Sequence, residues 1–182
     1  MDDSALAGAD AADAAVRRGE RLGPLHGVPF TVKENIDVAG TPTTSSVVAL
    51  AGAISNTDAP VVERMKAAGG IVVGRTNLPD MGLRIHTDSA LHGLTRNPWN
   101  RDRTTGGSSG GEASSLASGM SPIGLGNDVG GSLRNPAHCC GISSIKPTVG
   151  VVPWATEIPP TALNLAFQLM VVEGVMADRK ST

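Results

Sequence analysis

Two short segments rich in glycine and serine constrain this chain more than any other feature. The first, Gly106–Gly111, is a loop that leads into small residues suited to a closely packed helix, and the second, Gly126–Ser132, is a glycine-rich turn. Between them the sequence predicts a helix followed by a strand, at Glu112–Ser118 and Pro122–Leu125. The serines at positions 108 and 132 are 24 residues apart, enough for one helix and one strand to return the chain beside its start. The two segments are therefore expected to meet in space.

Helices and strands are predicted in alternation along the rest of the chain. Val28–Val32 is a short apolar run typical of a buried strand, and it places Lys33 at the strand's end. Asp58 is a suitable N-cap for a helix that keeps its apolar spacing until Gly69. The other predicted elements are a lead-in helix at Ser4–Gly19, a strand at Ile71–Val73, a loop at Asn97–Asn100, an irregular stretch at Pro153–Pro160 and an amphipathic helix at Leu163–Val172. This alternation favours an α/β fold with a mixed sheet covered by helices, in one domain.

The composition argues against several classes of protein. With 15 basic and 17 acidic residues and 2% aromatic residues, the chain lacks both the cationic excess and the stacking surfaces of nucleic-acid binders. Its apolar runs are shorter than the roughly 20 residues that span a membrane, and its acidic start differs from an export signal. We therefore expect a cytoplasmic protein. The histidines are scattered and the adjacent Cys139 and Cys140 are expected to be reduced, so no metal site is predicted.

Two nucleotide-binding patterns are incomplete. Gly69–Thr76 is close to a phosphate-binding loop, but Arg75 stands where that loop needs lysine, and Ile71–Val73 predicts a strand instead. Gly124–Gly126 begins a dinucleotide fingerprint in which Val129 replaces the third glycine. Neither pattern supports a nucleotide cofactor.

A third pattern suggests a different hydrolase. Gly107–Gly111 matches the nucleophile elbow of a Ser-His-Asp esterase, with Ser109 as the nucleophile. An elbow follows a strand, whereas Asn97–Arg103 is typical of a loop, and the histidine base would be one of four scattered candidates. The esterase hypothesis remains open at the level of sequence, as does a flexible linker.

A larger set of motifs resembles the amidase-signature family in both order and spacing. The resemblance runs from about Gly23 to Pro153. The motifs are Gly27-Val28-Pro29, Lys33-Glu34-Asn35, Asn77-Leu78-Pro79, Asn97-Pro98-Trp99, Gly106–Gly111, Asp128–Arg134, Cys140-Gly141 and Lys146-Pro147-Thr148. The resemblance implies part of a three-layer α/β/α fold, and hydrolysis of a small carboxylic amide with no metal or organic cofactor.

The resemblance also assigns roles to individual residues. It implies that Ser132 is the nucleophile, that Ser108 follows a cis peptide bond and relays a proton, and that Lys33 is the base. Lysine is cationic at neutral pH unless burial lowers its pKa from about 10.4, which a buried strand end would provide. Residues expected to bind the oxyanion or substrate are Val129, Gly130, Gly131 and Ser109, the last of which is equally a candidate helix cap. Residues expected to brace the nucleophile turn are Asp128 and Arg134.

The chain departs from the family pattern in length and at single positions. Because family members are longer, we expect a truncated domain with a lead-in helix at 1–22, a signature core at 23–153 and a tail at 154–182. Asn127 stands where threonine is common and Ser144 where glycine is usual, and we expect both to affect packing more than chemistry. In the tail, Val175 and Asp178 stand where the family has proline and arginine.

Truncation of the domain is expected to affect its assembly, and the function of the shortened chain has more than one interpretation. Unpaired sheet edges are expected to favour self-association or a homo-oligomer. Two alternatives to hydrolysis also remain open, one being the A component of an amidotransferase, which works with partner subunits, and the other a fragment without activity.

Overall fold

The computed structural model describes residues 3–159 and 165–178. Helices and strands alternate through most of this region, as predicted. The helices are α1 (Asp3–Arg17), α2 (Pro60–Ala67), α3 (Gly110–Ala117), α4 (Arg134–Cys140) and α5 (Leu165–Gln168). The strands are β1 (Pro29–Lys33), β2 (Ile71–Thr76), β3 (Asp88–Ser89), β4 (Gly93–Leu94), β5 (Ile123–Asp128), β6 (Ser143–Ser144) and β7 (Val172–Ala177).

A mixed sheet with the strand order β2-β1-β5-β7-β6 organises the fold. Strands β2, β1 and β5 run parallel, whereas β7 is antiparallel to both β5 and β6. Strands β3 and β4 form a separate antiparallel pair. The predicted fold class, a mixed sheet covered by helices, is confirmed.

Helices cover both faces of this sheet and bury two apolar clusters. One cluster joins alternate residues of β1, including Phe30 and Val32, to Val62 of α2. The other joins Leu116 of α3 and Cys140 of α4 to strand β7. Each fully buried side chain of this kind contributes about 1.5–3 kcal/mol relative to an exposed one. The layers are therefore helix, sheet and helix.

The alternation of side chains along β1 determines where Lys33 points. Phe30 and Val32 face α2, so Thr31 and Lys33 face the opposite layer, which contains α3. Lys33 is the last residue of β1, and the parallel strand β5 ends at Asp128. Because the carboxyl ends of parallel strands lie at one edge of a sheet, Lys33 and the turn after β5 come together there.

Some predicted boundaries are wrong for identifiable reasons. Asp58 does not cap α2; Ala59 occupies the N-cap, and the Asp58 carboxylate accepts a hydrogen bond from the Ala39 amide (2.9 Å) and pairs with Lys66 (2.8 Å). The predicted turn at Gly126–Ser132 begins too early, because β7 pairs with β5 as far as Asp128.

The predicted helix at Leu163–Val172 ends earlier in the structure than expected. Residues 163 and 164 lie outside the described residues, α5 covers Leu165–Gln168, and Val172 begins β7. The stretch predicted to be irregular has no helix or strand over residues 153–159, while Pro160 lies outside the described residues. Within the described parts of the chain, no helix has the length and apolarity needed to cross a membrane.

Candidate active site

Lys33 is completely buried at the end of β1 and is held by two hydrogen bonds. Its Nζ donates to Ser108 Oγ at 2.7 Å and to Asn127 Oδ1 at 2.6 Å. Burial lowers the pKa of Lys33 to about 7, although the nearby carboxyl groups of Asp128 and Glu112 favour its charged form. A large fraction of this amine is therefore neutral near pH 7, as a base requires.

Asn127 contacts the lysine directly, which sequence reasoning missed. Asn127 was expected to affect packing more than chemistry, but the structure places its side chain against the amine of Lys33. Asn127 Oδ1 accepts from Lys33, and its Nδ2 donates to Asn35 Oδ1 at 2.9 Å, so Asn35 orients the amide group. The sequence showed an unusual residue here but could not show a contact between strands 94 positions apart.

Ser108 lies in the first glycine-serine segment, which neighbouring loops hold in place. The peptide bond between Gly107 and Ser108 is cis, as the family resemblance implies. The Gly107 amide donates to Asn135 Oδ1 at 3.0 Å, and Thr87 Oγ1 donates to the Gly106 carbonyl at 2.9 Å. Ser108 is buried and its hydroxyl is presented to Lys33.

Ser132 lies beside this segment and is partly exposed to solvent. The Ser109 amide donates to the Ser132 carbonyl at 3.2 Å, which ties the two turns together as the sequence predicted. Among these described residues, Lys33 is hydrogen-bonded to Ser108. The hydroxyl groups of Ser108 and Ser132 are not hydrogen-bonded to each other. The structure thus brings Lys33, Ser108 and the Ser132 turn into one place.

Asp128 organises the turn that carries Ser132. Its buried carboxylate accepts hydrogen bonds from the amides of Gly131 (2.9 Å) and Leu133 (3.0 Å) and from the Arg134 guanidinium (2.9 and 3.0 Å). Burial alone would raise the pKa of Asp128, but hydrogen bonds from Arg134, Leu133, Lys146 and Gly131 hold it well below its usual range.

Lys146 is a second residue that sequence reasoning did not place at the site. Its ammonium donates to the carboxylate of Asp128 at 3.0 Å and to the Val129 carbonyl at 2.8 Å. Together with Arg134, it therefore holds the first residues of the nucleophile turn. The Lys-Pro-Thr motif marked this residue in the sequence but gave no contact for it.

The amides expected to bind an oxyanion differ in their availability. The Gly131 amide already donates to Asp128, so it is not free to bind substrate. Gly130 is exposed, and a Cβ added there would meet nothing within 4 Å, so space for a ligand lies against this residue.

Ser109 does not have the surroundings of an esterase nucleophile. It is buried, and its hydroxyl donates weakly to the Asn127 carbonyl at 3.4 Å without capping α3. Residues 97–109 contain no strand, and the two histidines nearest in sequence are engaged elsewhere, His86 with Thr104 and His92 with Glu34. The structure therefore contradicts the elbow hypothesis.

The other predicted sites can also be compared with the structure. Both cysteines are free thiols, as expected, and β2 occupies the segment that resembled a phosphate loop. Over residues 3–159 and 165–178, no group of three or more His, Cys, Asp or Glu side chains is arranged to hold a metal ion.

Known proteins resemble this chain in sequence and in structure. The pattern that defines the Amidase family matches residues 1–180. An indoleacetamide hydrolase of Bradyrhizobium diazoefficiens is 49% identical over 173 residues, which are 95% of this chain and 33% of that protein. The A component of the glutamyl-tRNA(Gln) amidotransferase of Methanococcoides burtonii is 47% identical over 137 residues, 75% of this chain and 29% of that protein.

A solved structure confirms the fold. The native peptide amidase of Stenotrophomonas maltophilia superposes with a TM-score of 0.88 at 34% identity, over 98% of this chain and 36% of that enzyme. The chain spans about a third of the length of the curated relatives it matches. Since the family pattern covers nearly the whole chain and the fold agrees, the chain belongs to the amidase family, that of the amidase-signature enzymes.

Proposed function

We propose that this chain carries the catalytic Ser-Ser-Lys group of an amide hydrolase. Ser132 is the nucleophile, Ser108 relays its proton, and Lys33 is the base. The observation that carries the proposal is the buried Lys33 amine, with a pKa lowered to about 7, at 2.7 Å from the Ser108 hydroxyl. A neutral amine in that position can accept a proton, as histidine does in a Ser-His-Asp triad.

The proposed reaction begins with attack of Ser132 Oγ on the carbonyl carbon of the amide. As the new C–O bond forms, Ser132 gives its proton to Ser108, and Ser108 gives its own to Lys33. Because the two hydroxyl groups are not bonded to each other in the structure, this step requires the partly exposed Ser132 side chain to move to within hydrogen-bonding distance of Ser108. Collapse of the tetrahedral intermediate breaks the C–N bond, and the proton returns through Ser108 to the departing amine. Water then hydrolyses the acyl-enzyme by the same route and releases a carboxylate.

Backbone amides of the nucleophile turn are the proposed donors to the oxyanion. Val129, Gly130 and Ser132 are the candidates, while the amide of Gly131 serves the turn by binding Asp128. Asp128, Arg134 and Lys146 brace this turn and do not react. Loss of one such donor typically costs 10²–10³ in rate in hydrolases that use a hole of this kind. The route uses only protein groups and water.

Small carboxylic amides are the proposed substrates. The relative named indoleacetamide hydrolase makes indole-3-acetamide and simple arylacetamides the first compounds to test. The experiment measures ammonia release by the 182-residue chain, by Ser132→Ala and Lys33→Met, and by Ser118→Ala, an exposed serine at the C-terminal end of α3, as the control. Hydrolysis by wild type and Ser118→Ala, with loss of at least about 10³-fold in the other two, supports the proposal. Equal loss in all three variants, or activity that survives Ser132→Ala, contradicts it.

A second candidate is a role as part of an amidotransferase. It is supported by 47% identity to the A component of a glutamyl-tRNA(Gln) amidotransferase, although only 29% of that protein is covered. This role predicts that glutamine is the preferred amide and that hydrolysis needs partner subunits. Turnover of arylacetamides by the chain alone, with no turnover of glutamine, would exclude it.

A further inference from the structure

Glu112 is a completely buried carboxyl group close to the proposed base, and the proposed reaction does not use it. It lies in the first turn of α3, the helix that begins two residues after Ser108. Its Oε2 accepts a hydrogen bond from Thr76 Oγ1 at 2.6 Å, and its Oε1 accepts one from Thr31 Oγ1. Glu112 therefore connects helix α3, which follows Ser108, to strands β1 and β2.

The two threonines are neighbours of Lys33 in the sheet, one along its own strand and one across from it. Thr31 precedes Lys33 by two residues on β1, so both side chains point to the same face of the sheet. Thr76 is the residue of β2 that pairs with Lys33 in the strand register. The Glu112 carboxyl thus spans the position from which the lysine side chain leaves the sheet.

The sheet is shaped to receive this carboxyl group. Gly124 of β5 pairs with Thr31, and a Cβ built on Gly124 would come within 1.8 Å of Glu112 Oε1. Any larger residue would displace the carboxyl from the threonines. Glycine at this strand position therefore leaves the space that Glu112 fills.

The charged groups near Glu112 favour its ionised form, against the effect of burial. Burial raises its pKa to about 7, opposed by hydrogen bonds from the threonines and by the charges of Lys33 and Arg75. Arg75 pairs with Val32 in the strand register, so its side chain leaves the opposite face of the sheet. Lys33 is in turn influenced by Glu112 and by Asp128 at the end of β5, while Cys140 of α4 lies in the apolar cluster with α3.

We propose that Glu112 is a positioning residue for Lys33: its carboxyl group holds Thr31 and Thr76 next to the lysine and, when ionised, favours the protonated amine and so controls how readily Lys33 gives up its proton. The inference rests on the proposed role of Lys33 as the base. Glu112 does not touch substrate in this account and acts through the lysine. Its effect should appear in the pH dependence of the site, which a purely structural role would not change.

The test measures the titration of Lys33 itself. The chain has four lysines, so ¹³C-labelled lysine gives few Cε signals, and the signal absent from Lys33→Met identifies residue 33. Glu112→Gln keeps the size of the side chain and one oxygen acceptor for a threonine hydroxyl but removes the charge, so the Lys33 pKa should fall by about 1 unit. Thr76→Val removes one donor to the carboxylate, which raises the Glu112 pKa, and should lower the Lys33 pKa by a smaller amount.

Glu173→Gln is the matched control. Glu173 is equally buried, but it alternates along β7 with Gly174 and Met176, which face α3 and α4, so it points to the other side of the sheet. Its replacement should leave the Lys33 pKa within about 0.2 units of wild type.

The same variants are then compared in the rate at which a fluorophosphonate labels the nucleophile between pH 5 and 9. In Glu112→Gln the rising limb of this profile should move to lower pH together with the Lys33 titration. An unchanged Lys33 titration in folded Glu112→Gln and Thr76→Val, or an equal shift in Glu173→Gln, would overturn the inference. If no wild-type serine is labelled, the proposed function fails, but the titration still decides the role of Glu112.

Discussion

The chemistry of the site depends on Lys33, a lysine whose charged form is destabilised by burial. Burial lowers its pKa to about 7, so protonated Lys33 predominates below that pH and the neutral amine above it. We predict that acylation of the nucleophile rises about tenfold per unit at acidic pH and levels off above about pH 8. The measurement is the second-order rate of labelling from pH 5 to 9. A rising limb centred near pH 10 would show that Lys33 titrates as an ordinary lysine.

Replacement of Asn127 provides a direct way to raise the pKa of Lys33. The Asn127→Asp variant places a carboxylate where Oδ1 now accepts from Lys33 at 2.6 Å. An opposite charge at hydrogen-bonding distance favours the charged amine, so the pKa should rise by roughly 1 unit or more, and labelling at pH 7 should fall by at least about fivefold. Activity lost at pH 7 should return near pH 9.

Asn127→Leu separates this charge effect from simple loss of the hydrogen bond. It removes the acceptor without adding charge, so the pH profile should keep its position or move to lower pH while the rate falls at every pH. An identical response of the two variants would contradict an electrostatic role for this position.

The residues of the site were predictable to different degrees, for a physical reason. Lys33, Ser108 and Ser132 lie in motifs whose residue types carry the chemistry, and the pattern places them by order and spacing. Asn127, Lys146 and Glu112 act through contacts with residues 18 to 94 positions away. Such contacts depend on which strands become neighbours and in which register, and a single sequence does not give that distance information.

At the scale of helices and strands, the close approach of α3 to the sheet depends on glycine in β5. We predict that Gly124→Ala destabilises the protein by about 1–3 kcal/mol, because the added Cβ would lie 1.8 Å from Glu112 Oε1 and force the carboxyl aside. The measurement is the free energy of unfolding in urea. Gly52→Ala is the control, since its Cβ would meet nothing within 4 Å. Equal stability of Gly124→Ala and wild type would contradict the packing of Glu112.

The predictability of the elements follows from their local signals. The helix at α3 and strands β1 and β5 were expected from small residues and apolar runs, and they are present. The C-terminal boundary of β5 was misjudged because Gly126 is typical of a turn in isolation. In the fold Gly126 lies within strand β5. Glycine is needed there because an added Cβ would come within 2.8 Å of Ser109 Oγ and 2.9 Å of Leu133 Cδ2.

At the scale of the whole molecule, several apolar side chains that follow the short edge strand β6 in sequence are exposed. Ile145, Val151, Leu165 and Leu169 are between 62% and 70% exposed, and the Ile145 amide donates to the Val175 carbonyl, which places Ile145 beside β7. We predict that the chain associates with itself through this surface in a concentration-dependent manner. Light scattering over a range of concentrations measures the association.

Two charged variants localise this association. Leu169→Glu should shift the chain toward monomer, whereas Leu6→Glu, on helix α1 next to β2 at the opposite edge of the sheet, should not. A monomer at all concentrations, or an equal effect of both variants, would contradict the prediction.

Lys33 and Ser108 are proposed to activate Ser132, and labelling of the nucleophile in the intact chain tests this activation. The 182-residue chain is treated at pH 8 with a fluorophosphonate, which labels activated serines, and the modified residue is identified by peptide mass. The account predicts one label, on Ser132, that is retained in Ser109→Ala and lost in Lys33→Met and Ser108→Ala. Labelling of another serine, or labelling of Ser132 that is unaffected when Lys33 is replaced, would contradict it.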